Sequence, residues 1–167
     1  MAETFDLVVN GERKKITADA DTPLLYILKN DLQLMGPRFG CGLAQCGSCS
    51  VLIDGVETRS CITPVGTVPG RKITTLEGLA QWYAETNKLE KAPALHPVQQ
   101  AFIDEQAMQC GYCYNGQTIK AAELLSKNQK PTEKQIREAM DGHLCRCGTY
   151  QRINKSIRLA SVRMTGG

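Results

Sequence analysis

Short apolar-rich runs, separated by turn-forming dipeptides, mark the first 75 residues of the chain. Runs of four to eight such residues are typical of strands. They predict strands over residues 5–9, 14–18, 50–53 and 56–58, and a last short strand around Ile73. Asn10-Gly11 and Asp54-Gly55 each separate two of these runs, and such dipeptides favour two-residue hairpin turns. The pattern therefore predicts two β-hairpins and one further strand.

Apolar residues with helical spacing occur once in this first part and dominate the chain after residue 75. In the first part, the leucine-rich residues 24–32 predict a helix, with Thr22 as its N-cap and Pro23 in its first turn. Residues 74–77 and 132–135 have the sequence of a capping box, which marks helix starts. Further helices are predicted around Trp82 and over residues 96–107, 117–127 with Asn115 as its cap, 131–142 and 149–162.

These patterns predict an α+β protein, with a β-rich domain over residues 1–80 and an all-helical, four-helix domain over residues 81–167. The chain has 167 residues, of which 42% are hydrophobic and only 5% aromatic, so each of two cores would be small. Small cores usually need a metal or disulfides for stability. The chain contains eight cysteines, which are candidates for that role.

Charge and hydropathy exclude several classes of protein. The formal net charge of +3 is too small to indicate nucleic-acid binding. No apolar run approaches the roughly 18 residues of a membrane span, and the N-terminus lacks the apolar segment of a secretory signal. We expect a cytoplasmic, reducing location, in which clustered cysteines bind metal more often than they form disulfides. A periplasmic location would require export of the folded chain with a partner that carries a twin-arginine signal.

The first cysteine set has the spacing C-x4-C-x2-C followed by one more cysteine, and consists of Cys41, Cys46, Cys49 and Cys61. This is the ligand spacing of plant-type [2Fe–2S] clusters, and it favours a cluster over zinc. Glycines within this loop would allow tight turns that bring amide N–H groups to the cluster sulfurs. Strands packed around one helix, with such a loop between them, form a β-grasp pattern similar to that of plant ferredoxins.

The second cysteine set combines a C-x2-C and a C-x-C motif and consists of Cys110, Cys113, Cys145 and Cys147. Both motifs precede predicted helices, so the partial positive charge of two helix N-termini would favour an anionic cluster. Zinc remains an alternative for this set, although C-x-C fits the usual zinc spacing poorly. A zinc-stabilised interaction module and a stand-alone dithiol redox protein, using Cys110 and Cys113, are therefore the competing interpretations.

Three motifs, taken in order, resemble the small iron–sulfur subunit of the xanthine oxidase family of molybdenum hydroxylases. They are residues 40–51 around the first three cysteines, Gln109-Cys110-Gly111-Tyr112-Cys113, and Leu144-Cys145-Arg146-Cys147. The resemblance covers nearly the whole chain. It implies one [2Fe–2S] cluster in each cysteine set and an electron-transfer role, with no catalytic residue on this chain.

The resemblance also implies a large partner subunit that holds a molybdopterin cofactor, with the cytosine dinucleotide as the expected form. The cluster of the second cysteine set would lie nearest to that cofactor, and the ferredoxin-like cluster further out. Gln109 would hydrogen-bond the pterin, and Cys147 would lie close to it. The substrate, an aldehyde or an N-heterocycle, would be oxidised in the partner subunit.

Two segments depart from the commoner family pattern, namely residues 114–117 and 148–150. Both variants resemble the subgroup of isoquinoline 1-oxidoreductase, nicotinate dehydrogenase and related bacterial aldehyde dehydrogenases. Members of this subgroup often lack a flavin subunit. The resemblance therefore implies a c-type cytochrome as the external electron acceptor, with an FAD subunit as the alternative.

The remaining chemistry-bearing residues have structural interpretations. His96 is predicted to cap a helix, His143 to be structural rather than a cluster ligand, and Trp82 to pack in a core. Residues 142–167 contain no acidic side chain. We expect this basic segment to be solvated, with the hypothesis that part of it, including Arg158 and Arg163, docks the large subunit.

Overall fold

The computed structural model of the chain describes residues 1–166; Gly167, the last residue of the predicted helical domain, lies outside that range. Its strands are β1 (Ala2–Val9), β2 (Glu12–Asp19), β3 (Ser50–Ile53), β4 (Val56–Arg59) and β5 (Lys72–Thr74). They form one sheet in the order β2-β1-β5-β3-β4, in which only the β1–β5 pair is parallel. Both predicted hairpins and the strand around Ile73 are confirmed.

The hairpin turns have the backbone conformation that their sequences predict. Asn10 and Asp54 adopt φ angles of 51° and 52°, and each is followed by a glycine that also has positive φ. Two successive residues with positive φ define the type I′ turn, whose twist matches that of the flanking strands. The turns therefore fix the register of both hairpins.

The helix of the first part is shorter and less regular than predicted. Helix α1 (Leu24–Tyr26) continues directly into a π-helical turn, Ile27–Asp31. Pro23, not Thr22, occupies the N-cap position, and no side chain caps the helix. Thr22 lies in the turn before the helix instead, where its N–H bonds to the Asp19 carbonyl and its own carbonyl accepts from the N–H of Val65. The prediction of Thr22 as N-cap is wrong.

The sheet and this first helix enclose one small core. Its fully buried members include Leu7, Val51, Ile53 and Ile73 from the sheet and Leu24 and Leu28 from the helical segment. Burying one such side chain contributes roughly 1.5–3 kcal/mol. This core orients the long loop between residues 32 and 49, which carries the first cysteines.

The second part of the chain is helical. Its helices are α2 (Leu79–Asn87), α3 (Pro97–Asp104), α4 (Tyr114–Lys127), α5 (Glu133–Met140) and α6 (Tyr150–Met164). The last four surround a second core that includes Phe102, Leu125, Ile136, Ile153 and Ile157. The α+β class and the four-helix arrangement after residue 95 are confirmed. None of the helices in residues 1–166 is long and apolar enough to cross a membrane.

The starts of α3 and α5 agree with the predictions, because their caps lie within the local sequence. His96 caps α3, and Thr132 with Gln135 forms the predicted capping box of α5. Helix α3 ends at Asp104, earlier than predicted. Helix α4 begins at Tyr114, so Asn115 lies inside its first turn and the prediction of a cap is wrong.

The capping box predicted at residues 74–77 does not form. Thr75 exchanges hydrogen bonds with the side chain of Asn10, in the first hairpin turn. Glu77 accepts hydrogen bonds from the N–H groups of Met35 and Gly36. Thr74, the predicted N-cap, lies in strand β5, and tertiary contacts have taken the Glu77 carboxylate that would have completed the box. Trp82 of α2 packs against a small cluster formed by Leu52, Leu79, Ile119 and Ala122, which joins the sheet to the helices.

Candidate metal centres

The first cysteine set lies where the loop over residues 40–49 meets the end of strand β4. Cys49 and Cys61 are buried and pack with Leu25, whereas Cys41 and Cys46 are half-buried. Between them, Ala44 and Gly47 have φ angles of 58° and 79°. A loop with repeated positive φ turns its amide groups inward, which suits a group that is rich in negative sulfur.

Amide N–H groups of the loop point at the sulfur atoms. Leu43 and Gln45 donate to the Sγ atom of Cys41 over 3.3 and 3.2 Å, and the N–H of Cys41 donates to Cys46 over 3.3 Å. Burial raises the pKa of the Cys41 thiol, but these N–H groups outweigh it and bring that pKa to about 7. The loop therefore stabilises a thiolate at its outer edge.

Cys49, one of the two buried cysteines of the same set, has a raised pKa instead. Burial, with the neighbouring Cys61 thiol, raises the pKa of Cys49 to about 12. A metal cation would reverse this, because metal coordination deprotonates a thiol. Gly40 also lies against the set, since a Cβ atom on it would come within 2.6 Å of the Cys46 sulfur. The loop is closely fitted around its sulfur atoms.

The second cysteine set lies at the starts of helices α4 and α6. Cys113 is the N-cap residue of α4, and Cys145 and Cys147 precede α6. Cys113 and Cys145 are buried, Cys147 is half-buried and Cys110 is exposed. Both predicted helix N-termini therefore lie beside these thiols, where their partial positive charge favours anions.

Polar contacts also hold this second set. Tyr150 of α6 accepts a hydrogen bond from the N–H of Cys145 over 2.8 Å, and the Thr149 hydroxyl lies 3.4 Å from the Cys145 sulfur. Burial raises the pKa of Cys145, but the bonds from Thr149 lower it below its ordinary value. Burial and the adjacent Cys145 thiol raise the pKa of Cys113 to about 12.

One cleft of about 470 Å³ contains members of both sets. It is lined by Cys41 and Cys46 of the first set and by Cys110, Cys113 and Cys145 of the second. All eight cysteines have free thiols. Within residues 1–166, no group of three or more His, Cys, Asp or Glu side chains is arranged to hold a single metal ion. The thiol donors, the inward N–H groups and the close fit of Gly40 suit an iron–sulfur group in each set.

Gln109 lies exposed beside Cys110, at the outer edge of the second set. The half-buried Cys147 interacts directly with the Cys110 thiol and contributes to lowering its pKa, after the larger effect of the Tyr112 N–H. The two residues predicted to contact a pterin therefore lie next to the same exposed cysteine.

A polar joint between the two cysteine sets is not evident from the sequence. Asn115 of α4 donates to the carbonyl oxygens of Ser48 and Ser50, over 2.9 and 2.8 Å. The adjacent Gly116 packs on the main chain of Gly47, so closely that a Cβ atom would lie 2.1 Å from its carbonyl oxygen. The start of helix α4, which carries Cys113 at its N-cap, thus packs directly on the first cysteine loop.

A second link at the surface joins the same two loops. The Arg38 guanidinium lies over the Tyr112 ring, 5.4 Å from its centre, and donates to the Gly111 carbonyl over 3.1 Å. The Tyr112 hydroxyl donates to the carbonyl oxygen of Phe39. Arg38 and Phe39 precede the first cysteine loop, and Tyr112 lies within the C-x2-C motif.

Both histidines have structural positions. His96 is fully buried, and its Nδ1 atom accepts the N–H of Val98 at the start of α3. His143 is also buried, and its Nε2 atom lies 2.7 Å from a guanidinium nitrogen of Arg59. Arginine can only donate, so Nε2 must accept, and the ring is neutral. The structural interpretation of both histidines agrees with these contacts.

Much of the basic C-terminal segment is engaged within the chain. Lys155 pairs with Glu105 over 2.8 Å, and Arg163 pairs with Asp104 over 2.6 Å. Arg158, in contrast, is exposed. Helix α6 thus uses part of its basic face to bind the end of α3.

Two family models match the chain. The model described as "2Fe-2S iron-sulfur cluster binding domain" covers residues 7–69, and "[2Fe-2S] binding domain" covers residues 75–158. One of the subunits of nicotinate dehydrogenase from Pseudomonas putida is 51% identical over 161 residues, which is 96% of both chains. The alpha subunit of isoquinoline 1-oxidoreductase from Brevundimonas diminuta is 47% identical, over 94% of this chain and 97% of that one.

Solved structures of related proteins match the fold of this chain. The structure of quinoline 2-oxidoreductase from Pseudomonas putida 86 matches with a TM-score of 0.85 and 31% identity, over 99% of this chain and 98% of that chain. Aldehyde oxidoreductase from Desulfovibrio gigas matches with a TM-score of 0.86 and 32% identity, over 98% of this chain but 17% of the larger protein. The chain therefore belongs to the small [2Fe–2S] iron–sulfur subunits of the xanthine oxidase family of molybdenum hydroxylases, and serves in electron transfer.

Proposed function

We propose that the chain receives electrons from substrate oxidation in a large molybdopterin subunit and passes them through two [2Fe–2S] clusters to an external acceptor. The carrying observation is the shared cleft, in which cysteines of both sets line one space. The N–H of Leu144 also donates to the Cys46 carbonyl over 3.0 Å, which joins the two cysteine-bearing loops directly.

The proposed ligands of the ferredoxin-like cluster are Cys41, Cys46, Cys49 and Cys61, and those of the second cluster are Cys110, Cys113, Cys145 and Cys147. Bound in these sites, the clusters supply one-electron redox chemistry. The chain itself supplies thiolates, N–H groups that lie toward the sulfurs, and burial that limits contact with water. We also propose residue 80 as the boundary between the two domains.

The exposed side of the second set is the proposed contact with the large subunit. Tyr112, Leu144 and Tyr150 line the cleft there and are 49%, 55% and 44% exposed. Exposed apolar side chains gathered around one cleft are typical of a protein interface. Gln109 would donate to the pterin from this face, and Cys147 would lie beside it.

The relatives support a more specific function. The names of the two relatives compared above point to N-heterocyclic aromatic substrates, nicotinate and isoquinoline. We propose an N-heterocycle as the substrate of the complex, with an aldehyde as the alternative, and molybdopterin cytosine dinucleotide as the cofactor of the partner. A c-type cytochrome is the proposed acceptor, with an FAD subunit as the alternative. The proposed location is the cytoplasm, or the periplasm if the folded complex is exported.

Elemental analysis of the purified full chain tests the cofactor. Two clusters require about four iron and four acid-labile sulfide per chain, because each site holds two of each. EPR of the reduced chain should show two distinct cluster signals. A colourless chain with bound zinc would contradict the proposal and support the zinc-stabilised module.

The route of electrons is tested in the complete complex with Cys113→Ser. The variant should stop the transfer of electrons from substrate to acceptor and keep the EPR signal of the ferredoxin-like cluster. Undiminished turnover would contradict the proposed route. Disulfide-exchange activity of the chain alone, lost in the same variant, would instead support the dithiol interpretation.

A further inference from the structure

The side chain of Arg59, the last residue of β4, connects four groups from two parts of the chain. One terminal nitrogen lies 2.6 Å from the Ser50 hydroxyl, 2.8 Å from a Glu57 carboxylate oxygen and 2.7 Å from His143 Nε2. The other donates to the Gly142 carbonyl over 3.1 Å. The side chains of Arg59 and Glu57 are only 16% and 10% exposed. The guanidinium is therefore held on several sides inside the protein.

These contacts lie at the entrances to both cysteine sets. Arg59 precedes Cys61 by two residues, and Ser50 follows Cys49. On the other side, Gly142 and His143 lead into Cys145. One side chain thus connects segments that run directly into the proposed ligands of both clusters.

The segment that Arg59 contacts, Gly142 and His143, is itself held firmly. The His143 carbonyl accepts from the side chain of Gln117, in α4, over 2.7 Å. Its ring packs on Gly47, where an added Cβ atom would come within 2.5 Å of the ring. Gly47 lies between Cys46 and Cys49 of the first set. A shift of His143 would therefore be transmitted to both cysteine loops.

An arginine suits this position better than any other side chain. Its planar fork carries five N–H donors and can reach acceptors in several directions, whereas a lysine offers one compact ammonium group. Burial raises the pKa of Glu57, but the neighbouring His143 and Ser50 side chains and the charge of Arg59 outweigh it and bring that pKa to about 2. Arg59 and Glu57 therefore remain an ion pair, and the geometry of the contacts around them depends on the guanidinium.

We propose that Arg59 is a positioning residue that sets the separation and mutual orientation of the two cluster sites. The inference rests on the proposed function, because it requires a cluster in each cysteine set. Redox sites work best when side chains fixed by their own hydrogen bonds hold them to within about 0.5 Å. Arg59 would supply that restraint for the pair.

The test uses the full chain with both clusters, as wild type, Arg59→Met and Arg59→Lys. The control is Arg71→Met, because Arg71 also pairs with an acidic residue, Asp54, at 2.7 Å, but in the second hairpin turn. Two reduced, paramagnetic clusters split each other's EPR lines, and the splitting depends on their distance and orientation. This splitting is measured at low temperature in the fully reduced chain, after iron and sulfide have been counted.

We expect Arg59→Met to keep wild-type iron and sulfide and to change the splitting measurably. Arg59→Lys should show a smaller change, because its ammonium replaces only part of the guanidinium's contacts. Arg71→Met should match the wild type. If Arg59→Met does not fold, the variant Glu57→Gln/Arg59→Met removes both buried charges and is measured in its place.

An unchanged splitting in Arg59→Met with full iron content would overturn the proposal, as would an equal change in Arg71→Met. A loss of iron in every Arg59 variant would also overturn it, since Arg59 would then be needed to bind the clusters and not to position them. A wild-type chain without four iron would instead remove the proposed function on which the inference rests. The iron count therefore separates the two failures.

Discussion

The main-chain N–H of Leu144 donates a hydrogen bond to the carbonyl oxygen of Cys46 over 3.0 Å. Leu144 directly precedes Cys145, so a single bond links one residue of the first cysteine set to the neighbour of a residue of the second. Because the bond is formed by the main chain, substitutions of the Leu144 side chain leave the donor in place. The side chain itself, 55% exposed, is free for another role.

Because the bond uses only the main chain of Leu144, its side chain can be changed to test the proposed contact with the large subunit. We expect Leu144→Asp to weaken assembly with the large subunit by at least tenfold, about 1.4 kcal/mol, because it places a charge in an apolar interface. Iron content and the unfolding temperature should stay close to those of the wild type. Co-purification and a binding titration with the large subunit measure the effect.

Val56→Asp is the matched control for this variant. Val56 is 50% exposed and lies at the start of β4, beside the second hairpin turn. It should bind the large subunit as the wild type does. Equal binding by both variants would contradict the assignment of the Leu144 face to that subunit.

Gly116→Ala tests the contact between α4 and the first cysteine loop. In an isolated helix this change would stabilise by roughly 1 kcal/mol. Here the new Cβ atom would lie 2.1 Å from the Gly47 carbonyl oxygen, and both atoms belong to main-chain segments that cannot easily move. We expect a loss of about 3 kcal/mol in stability, together with reduced iron in the purified chain.

The control for this variant is Gly70→Ala. Gly70 has a φ angle of +79° and no atom within 4 Å of an added Cβ, so only backbone strain of about 1–2 kcal/mol is expected. Iron content should be normal in this variant. A Gly116→Ala chain with wild-type stability and iron would show that the loop and helix separate readily.

Asn115 provides a third test, because both of its hydrogen bonds use the amide nitrogen as donor. Asn115→Asp replaces this donor by an oxygen, which would face the carbonyls of Ser48 and Ser50. We expect it to destabilise the chain by more than Asn115→Ala, for which about 1–3 kcal/mol is expected from the carbonyls left without this donor. Unfolding temperatures of the two variants give the comparison, and equal values would contradict the role of the donor.

Local signals explain what could be predicted from the sequence. Asn10-Gly11 alone is enough for its hairpin, because the turn needs only positive φ at two adjacent residues. The capping box of α5 is likewise complete within four residues, from Thr132 to Gln135. The cysteine motifs indicated the type of group, because spacing within one loop restricts which ligands can meet.

Contacts between distant segments explain what could not be predicted. Asn115 looked like a cap because nothing near it in sequence shows that the carbonyls of Ser48 and Ser50 lie opposite. Thr74 and Glu77 have the spacing of a capping box, but Thr74 ends strand β5, and the N–H groups of residues 35 and 36 take the Glu77 carboxylate. The sequence carries only a weak signal for the contacts of Arg59. Glu57 and Arg59 lie two residues apart on one strand, so their opposite charges lie on the same face.

His96 makes stability depend on pH in a predictable direction. The ring is fully buried at the start of α3, and burial lowers its pKa from 6.5 to about 3. Between these two values the unfolded chain binds a proton that the folded chain does not, so stability falls as the pH is lowered below 6.5. From about pH 7.5 to 5.5 this single group should cost about 1.4 kcal/mol, or about 4 °C in unfolding temperature.

His96→Asn removes this titration and keeps the cap, because asparagine also accepts a hydrogen bond from the second or third helical N–H. The fall in unfolding temperature between the two pH values should therefore be about 4 °C smaller in the variant than in the wild type. His143 and the carboxylates are present in both proteins, so their contributions cancel in the comparison. The same fall in both proteins would show that the buried ring is protonated without cost, and that α3 opens at its start before the chain unfolds.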